Sequence, residues 1–200
     1  MDGGFATPQS FARAFRRVTG LTPSEFVTGD LQQIDAEEDG TATVRVELRP
    51  GCTLVALRRE GGTYRELDAL FARVWEWAQE SGKLARLQGI YGLPMDDPLS
   101  VPESQLRYDA CLALGEDVIP PTPFYRVVLP RGQYASLRHH GSYDDLEETD
   151  QRMIRWAVLS DRTPADWPLA HCFLDDPDET STMKLRADVL LFLGPDGGER

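Results

Sequence analysis

Residues 62–78 read GTYRELDALFARVWEWA, and residues 141–157 read GSYDDLEETDQRMIRWA. Gly62, Tyr64, Leu67, Trp77 and Ala78 return as Gly141, Tyr143, Leu146, Trp156 and Ala157, each 79 positions on. The same interval carries Asp96-Asp97-Pro98 to Asp175-Asp176-Pro177, Leu106-Arg107 to Leu185-Arg186, and Asp109 to Asp188. Identities at one constant offset, without gaps, are the mark of internal duplication. Each copy has the same local grammar. A β-rich run comes first, TLVALRR (53–59) or YASLRHH (134–140). An amphipathic helix follows, with its apolar stripe on Leu67, Leu70, Phe71, Val74, Trp77 and Ala78, or on Leu146, Met153, Trp156 and Ala157. A run ending in Asp-Asp-Pro cannot continue as a strand past the proline. LRYDACLAL (106–114) or LRADVLLFL (185–193) then closes the unit, and alternation puts Ala187, Val189, Leu191 and Leu193 on one face. The expected fold is α+β: two βαββ repeats, about 43–114 and 122–193, forming a pseudo-two-fold antiparallel sheet. Both helices, near 64–81 and 143–160, are expected on one face, leaving the other as an open, concave saddle.

Composition bounds the function. The chain has 200 residues, 41% of them hydrophobic, enough to bury a core and too many for a disordered chain. Its net charge of −12 speaks against nucleic-acid binding by the bulk of it. Only residues 1–28, where Arg13, Arg16 and Arg17 outweigh Asp2 and Glu25, are net positive. No apolar run approaches the roughly 18 residues of a membrane span, and the first residues lack a secretory pattern. Cys52, Cys111 and Cys172 are odd in number and far apart, which fits a reducing cytoplasm better than a disulfide framework. They lack metal-ligand spacing, so no metal site is expected. No phosphate-binding loop, dinucleotide fingerprint or nucleophile elbow is present, so no cofactor and no catalytic residue is assigned.

Ahead of the repeats, Thr7-Pro8 reads as a helix cap, and Phe11, Phe15 and Val18 form an apolar face. Gly20 ends that helix, and Thr22-Pro23-Ser24-Glu25 opens a second as a capping box. Helices are expected at about 8–19 and 23–28, followed by a polar, acidic linker over 29–42 that contains LQQIDAEEDG.

Two stretches resemble known families. GFATPQSFARAFRRVTGLTPSEF (Gly4–Phe26) is similar to the end of an AraC-type helix-turn-helix domain: a Gly-Phe turn, a recognition helix with Phe11-x-Arg13-x-Phe15, then Gly20-x-Thr22-Pro23. The likeness implies DNA contacts from Gln9, Ser10, Arg13, Arg16 and Arg17, early residues facing base edges and later arginines facing phosphates. The upstream helices of such a domain are missing, so a truncated reader with weak, salt-sensitive DNA binding is expected. Residues 43–195 resemble the GyrI-like effector domain. The marks are GTYRELDALFARVWEW, DDPLSVPESQLRYDA, GQYASLRHHGSYDDL and DDPDETSTMKLRADV. That resemblance implies a sheet saddle with two helices on one side and a pocket for bulky, often planar or cationic compounds on the other. It also leaves two alternatives: a stand-alone drug-binding protein or hydrolase of cyclopropane-bearing antibiotics, and a gyrase-binding modulator.

The family's pocket carries a glutamate in a pattern like E-x-Y-L-x-D-P. Here the stretch is His171-Cys172-Phe173-Leu174-Asp175-Asp176-Pro177, with His171 in the glutamate's place. A carboxylate among aromatic rings can hold a cation or act as a base. A histidine there implies neutral guests instead. His171 and Phe173 share a strand face, and Tyr91 is their expected neighbour on the helix-free side of the sheet. Strand parity sends Tyr108 with Ala110 and Leu112 to the helix side. Glu179 and Asp188 are the only substitute carboxylates for a hydrolase. Trp77 and Trp156 read as core, and Tyr64 and Tyr143 as turn residues. His139 and His140, adjacent on a strand, point to opposite faces and read as solvated. The ligand is expected to be a small hydrophobic or aromatic compound, with no membrane partner.

Overall fold

The computed structural model describes residues 43–195, apart from 66, 99, 161 and 163–168. The expected reader fragment over 1–28, its DNA-facing residues and the linker over 29–42 lie outside the described residues.

Among the described residues, eight strands and two α-helices follow one another: β1 (Arg45–Arg49), β2 (Cys52–Glu60), α1 (Asp68–Glu80), β3 (Gly89–Pro94), β4 (Arg107–Ala113), β5 (Tyr125–Leu129), β6 (Gly132–His140), α2 (Leu146–Leu159), β7 (Ala170–Phe173) and β8 (Arg186–Gly194). All strand pairings are antiparallel, in the order β1-β6-β8-β7-β3-β4-β2-β5. Both helices begin a few residues later than expected. Tyr64 and Tyr143 are held outside them by their hydroxyls. Tyr64 Oη donates to the carbonyls of Asp96 (2.7 Å) and Arg107 (3.1 Å). Tyr143 Oη does the same to Asp175 (2.8 Å) and Arg186 (3.0 Å). Each tyrosine so clasps the turn that leads into the last strand of its half.

The strand order explains the shape. β1 and β2 stand six places apart in the sheet, yet only Pro50 and Gly51 join them; β5 and β6 stand six places apart, joined by Pro130 and Arg131. A flat sheet would put such strands about 29 Å apart at ~4.8 Å spacing. Three peptide links reach only about 11 Å. The sheet must therefore curl until its ends approach. The two connections lie against each other, since a side chain at Gly51 would come to 3.3 Å from Leu129 O and Arg131 N. The result is a curled, eight-stranded half-barrel with two helices, an α+β fold.

This curl overturns the expectation of an open saddle on the helix-free face. That face is the inside of the half-barrel, and side chains fill it: Leu54, Ala56, Leu93, Cys111, Leu129, Tyr134, Cys172, Leu190 and Phe192 are all buried there. Alternation sends the intervening residues to the helices. Leu70, Val74 and Ala78 of α1 pack on Val55, Leu57, Tyr108, Ala110 and Leu112. Leu146, Met153 and Ala157 of α2 pack on Ala135, Leu137, Ala187, Val189 and Leu191. Trp77 and Trp156 are half-buried against these two clusters, Trp77 stacked on Phe124.

Matched polar contacts recur in the two halves. Arg107 forms a two-pronged ion pair with Asp96, and Arg186 with Asp175. Arg58 clamps Asp109, and Arg138 clamps Asp188. His139 departs from its expected solvated state. It is buried, with Nδ1 at 2.8 Å from Thr149 Oγ1 and Nε2 at 2.9 Å from Ser142 O, so it ties α2 to the turn before it. His140 is exposed.

Candidate functional site: the seam between the helices

The middle of the sheet lies where β3 pairs with β7. There Ile90, Tyr91 and Gly92 face Phe173, Cys172 and His171. Gly92 and His171, directly opposite each other, are 79 positions apart, so equivalent positions of the two halves meet at this pair. On the helix side a glycine confronts a histidine. The space above Gly92 is taken by Tyr108. A Cβ at Gly92 would fall 1.9 Å from the Tyr108 hydroxyl and 3.2 Å from the Phe173 ring. The phenol thus needs that glycine in order to lie flat over the strand.

Tyr108 and His171 are 1% and 3% exposed, and Tyr108 Oη lies 3.3 Å from His171 Nδ1. On its other side His171 Nε2 is 2.9 Å from Asp150 Oδ1, which projects from α2. One imidazole tautomer satisfies both contacts: the phenol donates to Nδ1, and the Nε2–H donates to the carboxylate. Burial first, then the nearby Asp150 charge, holds the Tyr108 phenol well above its ordinary pKa, so it stays a donor. The chain of bonds runs from β4 through β7 to α2.

Around this chain lies a continuous run of rings. Centroids are 5.4 Å apart for Tyr64–Tyr108, 6.3 Å for Tyr108–Phe71, 5.4 Å for Phe71–Phe173 and 4.8 Å for Phe173–Tyr143. His171 adds contacts of 6.3 Å to both Tyr108 and Phe173. Most of these pairs are tilted or edge-to-face, the arrangement the ring quadrupole favours. The run begins in the first half, crosses the midline and ends in the second. Tyr64, Phe71, Phe173 and Tyr143 are only half-buried, so their rings offer surface between α1 and α2. Burial is the main cause that raises the Tyr64 and Tyr143 phenols, and Asp150 contributes at Tyr64.

The sequence expectation for this site is corrected in one respect. His171 and Phe173 do share a face, but it is the helix face, as their contacts to Asp150 and Phe71 show. Tyr91 takes the opposite face, among the side chains that fill the half-barrel, beside its register partner Cys172. The three do not meet. The reason is strand parity: Ala170 and Cys172 occupy the interior, so His171 and Phe173 between and beyond them cannot. The reading of Tyr108 on the helix side agrees with the structure, and Tyr108 is the neighbour His171 has in place of Tyr91. Tyr64 and Tyr143 line the seam as well as shaping turns. Asp150 went unnoticed in the sequence. The signal for it was an unequal pair, because the 79-residue offset sets Asp150 against Phe71.

Of the two carboxylates considered for hydrolysis, Asp188 faces away from the seam and is held by Arg138, and Glu179 is exposed. Among the described residues, no group of three or more His, Cys, Asp or Glu side chains could hold a metal ion. No described helix is long and apolar enough to cross a membrane.

Comparison with known proteins agrees with this architecture. The probable transcriptional regulator YgiV of Escherichia coli (strain K12) is 28% identical over 128 residues, which cover 62% of this chain and 79% of that protein. The C-terminal domain of EcmrR superposes with a TM-score of 0.64 at 12% identity, covering 77% of this chain and 98% of that one. EcmrR in its complex with DNA gives 0.69 at 12% identity over 80% of this chain, which spans 60% of the EcmrR chain. A hydrolase from Listeria innocua gives 0.51 at 11% identity, covering 75% of this chain and 91% of that one. At such identities the structural likeness is one of fold alone. The sequence pattern of the GyrI-like small molecule binding domain matches residues 42–193, from ahead of β1 to the end of β8. On that match the chain belongs to the family of GyrI-like small molecule binding domains.

Proposed function

We propose that this chain is a ligand-responsive transcription regulator of AraC type. Its GyrI-like domain would take a small hydrophobic or aromatic compound in the seam between α1 and α2, over Phe173 and His171. The observation that carries this reading is the run of rings from Tyr64 to Tyr143, whose outer members are only half-buried. Rings left partly open beside a buried polar chain are what a flat, apolar guest needs. Covering them gains roughly 25 cal/mol per Å² before the ordering cost, and the polar groups fix orientation. Tyr91, on the far side of the sheet, has no part in this site.

The regulator reading is supported by the relatives, YgiV and EcmrR, and by the AraC-like stretch Gly4–Phe26. In it, Gln9, Ser10, Arg13, Arg16 and Arg17 meet DNA, weakly and in a salt-sensitive way, because few phosphates are neutralised. The guest acts by favouring one arrangement of the effector domain relative to the reader. We also read the domain as two βαββ repeats, 43–114 and 122–193, related by a pseudo-two-fold axis at Gly92 and His171. The matched tyrosine clasps and arginine clamps support that reading.

Fluorescence titration with the neutral dye Nile red tests the site. Phe173→Ala should weaken binding about tenfold, from the loss of a ring contact and its apolar area. Tyr91→Ala should change it less than about twofold. The reverse pattern would move the site to the inside of the half-barrel.

A further inference from the structure

The two edges of the sheet are β1 and β5, and they are not bonded to each other, so the curl leaves both open. They differ in cover. On β5 only Arg126 and Val128 are exposed. On β1, Arg45, Val46, Glu47 and Leu48 are all exposed. An edge strand offers a row of unpaired backbone groups, and natural edges are guarded by lysine, proline or a bulge. β1 has none of these: it reads RVELR, and its register with β6 runs unbroken from Arg45↔Ser136 to Arg49↔Gly132. Val46 and Leu48, 43% and 50% exposed, extend the apolar stripe that Val44 begins on the helix side of the sheet. Arg45, Glu47 and Arg49 alternate onto the other face, where Glu47 pairs with Tyr134. Glu47 is 45% exposed at its side chain, and its contact with Arg49 is long, 3.6 Å, so its carboxylate is open to a better partner.

We propose that β1 pairs with β1 of a second copy of this chain, antiparallel and centred on Val46. The charge pattern selects that register. It sets Arg45 opposite the partner's Glu47, Glu47 opposite the partner's Arg45, Val46 opposite its own copy and Leu48 opposite the partner's Val44. Opposite charges and paired aliphatics facing each other across strands are stabilising. A pairing centred on Glu47 instead sets Glu47 against Glu47 and Arg45 against Arg49, all like charges. One centred on Leu48 runs Val46 against Pro50, which has no N–H to give the ladder. A slip of one residue puts charges on the aliphatic face. β5 carries one charge, Arg126, so no register of β5 with itself pairs opposite charges. A β1–β5 pairing is head-to-tail and leaves further edges open, whereas the β1–β1 pairing closes as a dimer. The two eight-stranded sheets then run on into each other, with the apolar stripes side by side. None of this depends on the seam being the ligand site.

Sedimentation equilibrium of the full chain tests it. The wild-type protein should dimerise. Arg45→Glu or Glu47→Arg sets like charges opposite each other twice per dimer and should weaken dimerisation about tenfold. The double variant Arg45→Glu/Glu47→Arg restores the pairing and should come back to within about threefold of the wild type. Cross-linking reads the register separately. Two copies of residue 46 would stand roughly 4.5–5.5 Å apart between Cα atoms, within disulfide reach. In a Cys52→Ser background, which removes the one native thiol that is not buried, Val46→Cys should join two chains on treatment with oxidised glutathione. Leu48→Cys, with its copies about 13 Å apart, should not. A protein that stays monomeric up to about 100 μM overturns the proposal. So does a dimer that both single charge reversals leave intact, since its contact then lies in residues 1–42 or on another face. A double variant no tighter than the single ones, or cross-linking at Leu48→Cys and not at Val46→Cys, overturns it as well.

Discussion

The two halves of the domain share a frame and differ at its centre. Tyr64 and Tyr143, Asp96 and Asp175, Arg107 and Arg186, Asp109 and Asp188 occupy matching positions and make matching bonds. Along the midline the matches stop. Phe71, Gly92 and Tyr108 of the first half stand against Asp150, His171 and Ala187 of the second. The difference teaches where the frame tolerates change. Residues that clasp turns and clamp strands set the backbone of each half separately. Gly92 and His171 are register partners across β3 and β7, and two large side chains there would compete with Tyr108 for one space. In these three pairs the first half supplies two rings and the glycine beneath one of them, and the second half two polar groups and an alanine.

The largest expected effect is at the clamps. Asp109 is 1% exposed at its side chain and accepts from Arg58 at 2.7 and 2.8 Å and from Tyr125 Oη. Asp188, 11% exposed, is held by Arg138. Asp109→Ala should destabilise by about 2–4 kcal/mol, because it leaves a half-buried guanidinium and a half-buried phenol without their acceptor. Asp188→Ala should cost less, about 1–3 kcal/mol. Urea unfolding of the two variants decides; equal losses would mean the clamps are equivalent and the halves more alike than drawn.

Gly92→Ala comes next. Its Cβ would displace Tyr108, at a cost of about 1–3 kcal/mol for overpacking. His171 sits at the equivalent position on β7, so the same backbone tolerates a large side chain there. Combining Gly92→Ala with Tyr108→Phe should recover part of the loss, since the hydroxyl is the nearest obstacle. Strict additivity in that cycle would remove Tyr108 from the explanation. The smallest effect separates the clasps. Tyr64 Oη also accepts from the Asp96 N–H at 3.0 Å. Tyr64→Phe should therefore cost about 1–2 kcal/mol, and Tyr143→Phe a few tenths less. A larger loss at Tyr143 in thermal unfolding would contradict this.

Much of the frame was legible in the sequence because residues that set it recur at one offset. The 79-residue offset found the clasps, the acidic turns and the closing strands, and alternation put Tyr108 and Leu112 on the helix side. The curl was not legible, because it depends on which strands lie at the edges. Nothing local in Pro50-Gly51 or Pro130-Arg131 says that the strands each pair joins stand six places apart in the sheet. Without the curl the inner face was expected to be open, and His171 and Phe173 were expected on it, whereas they lie on the helix face. His171 and Phe173 were found through resemblance. Asp150 was not, since one acid on an acidic helix carries no local signal, and only its mismatch with Phe71 marks it.

The central claim is that a guest binds on the helix side of the sheet, between α1 and α2. A crystal structure of the protein with a brominated planar aromatic compound tests it most directly, since anomalous scattering locates the bromine. The peak is expected in the seam, within contact of Phe173 and Phe71 and close to Asp150. A peak inside the half-barrel, beside Tyr91 and Cys172, would contradict it.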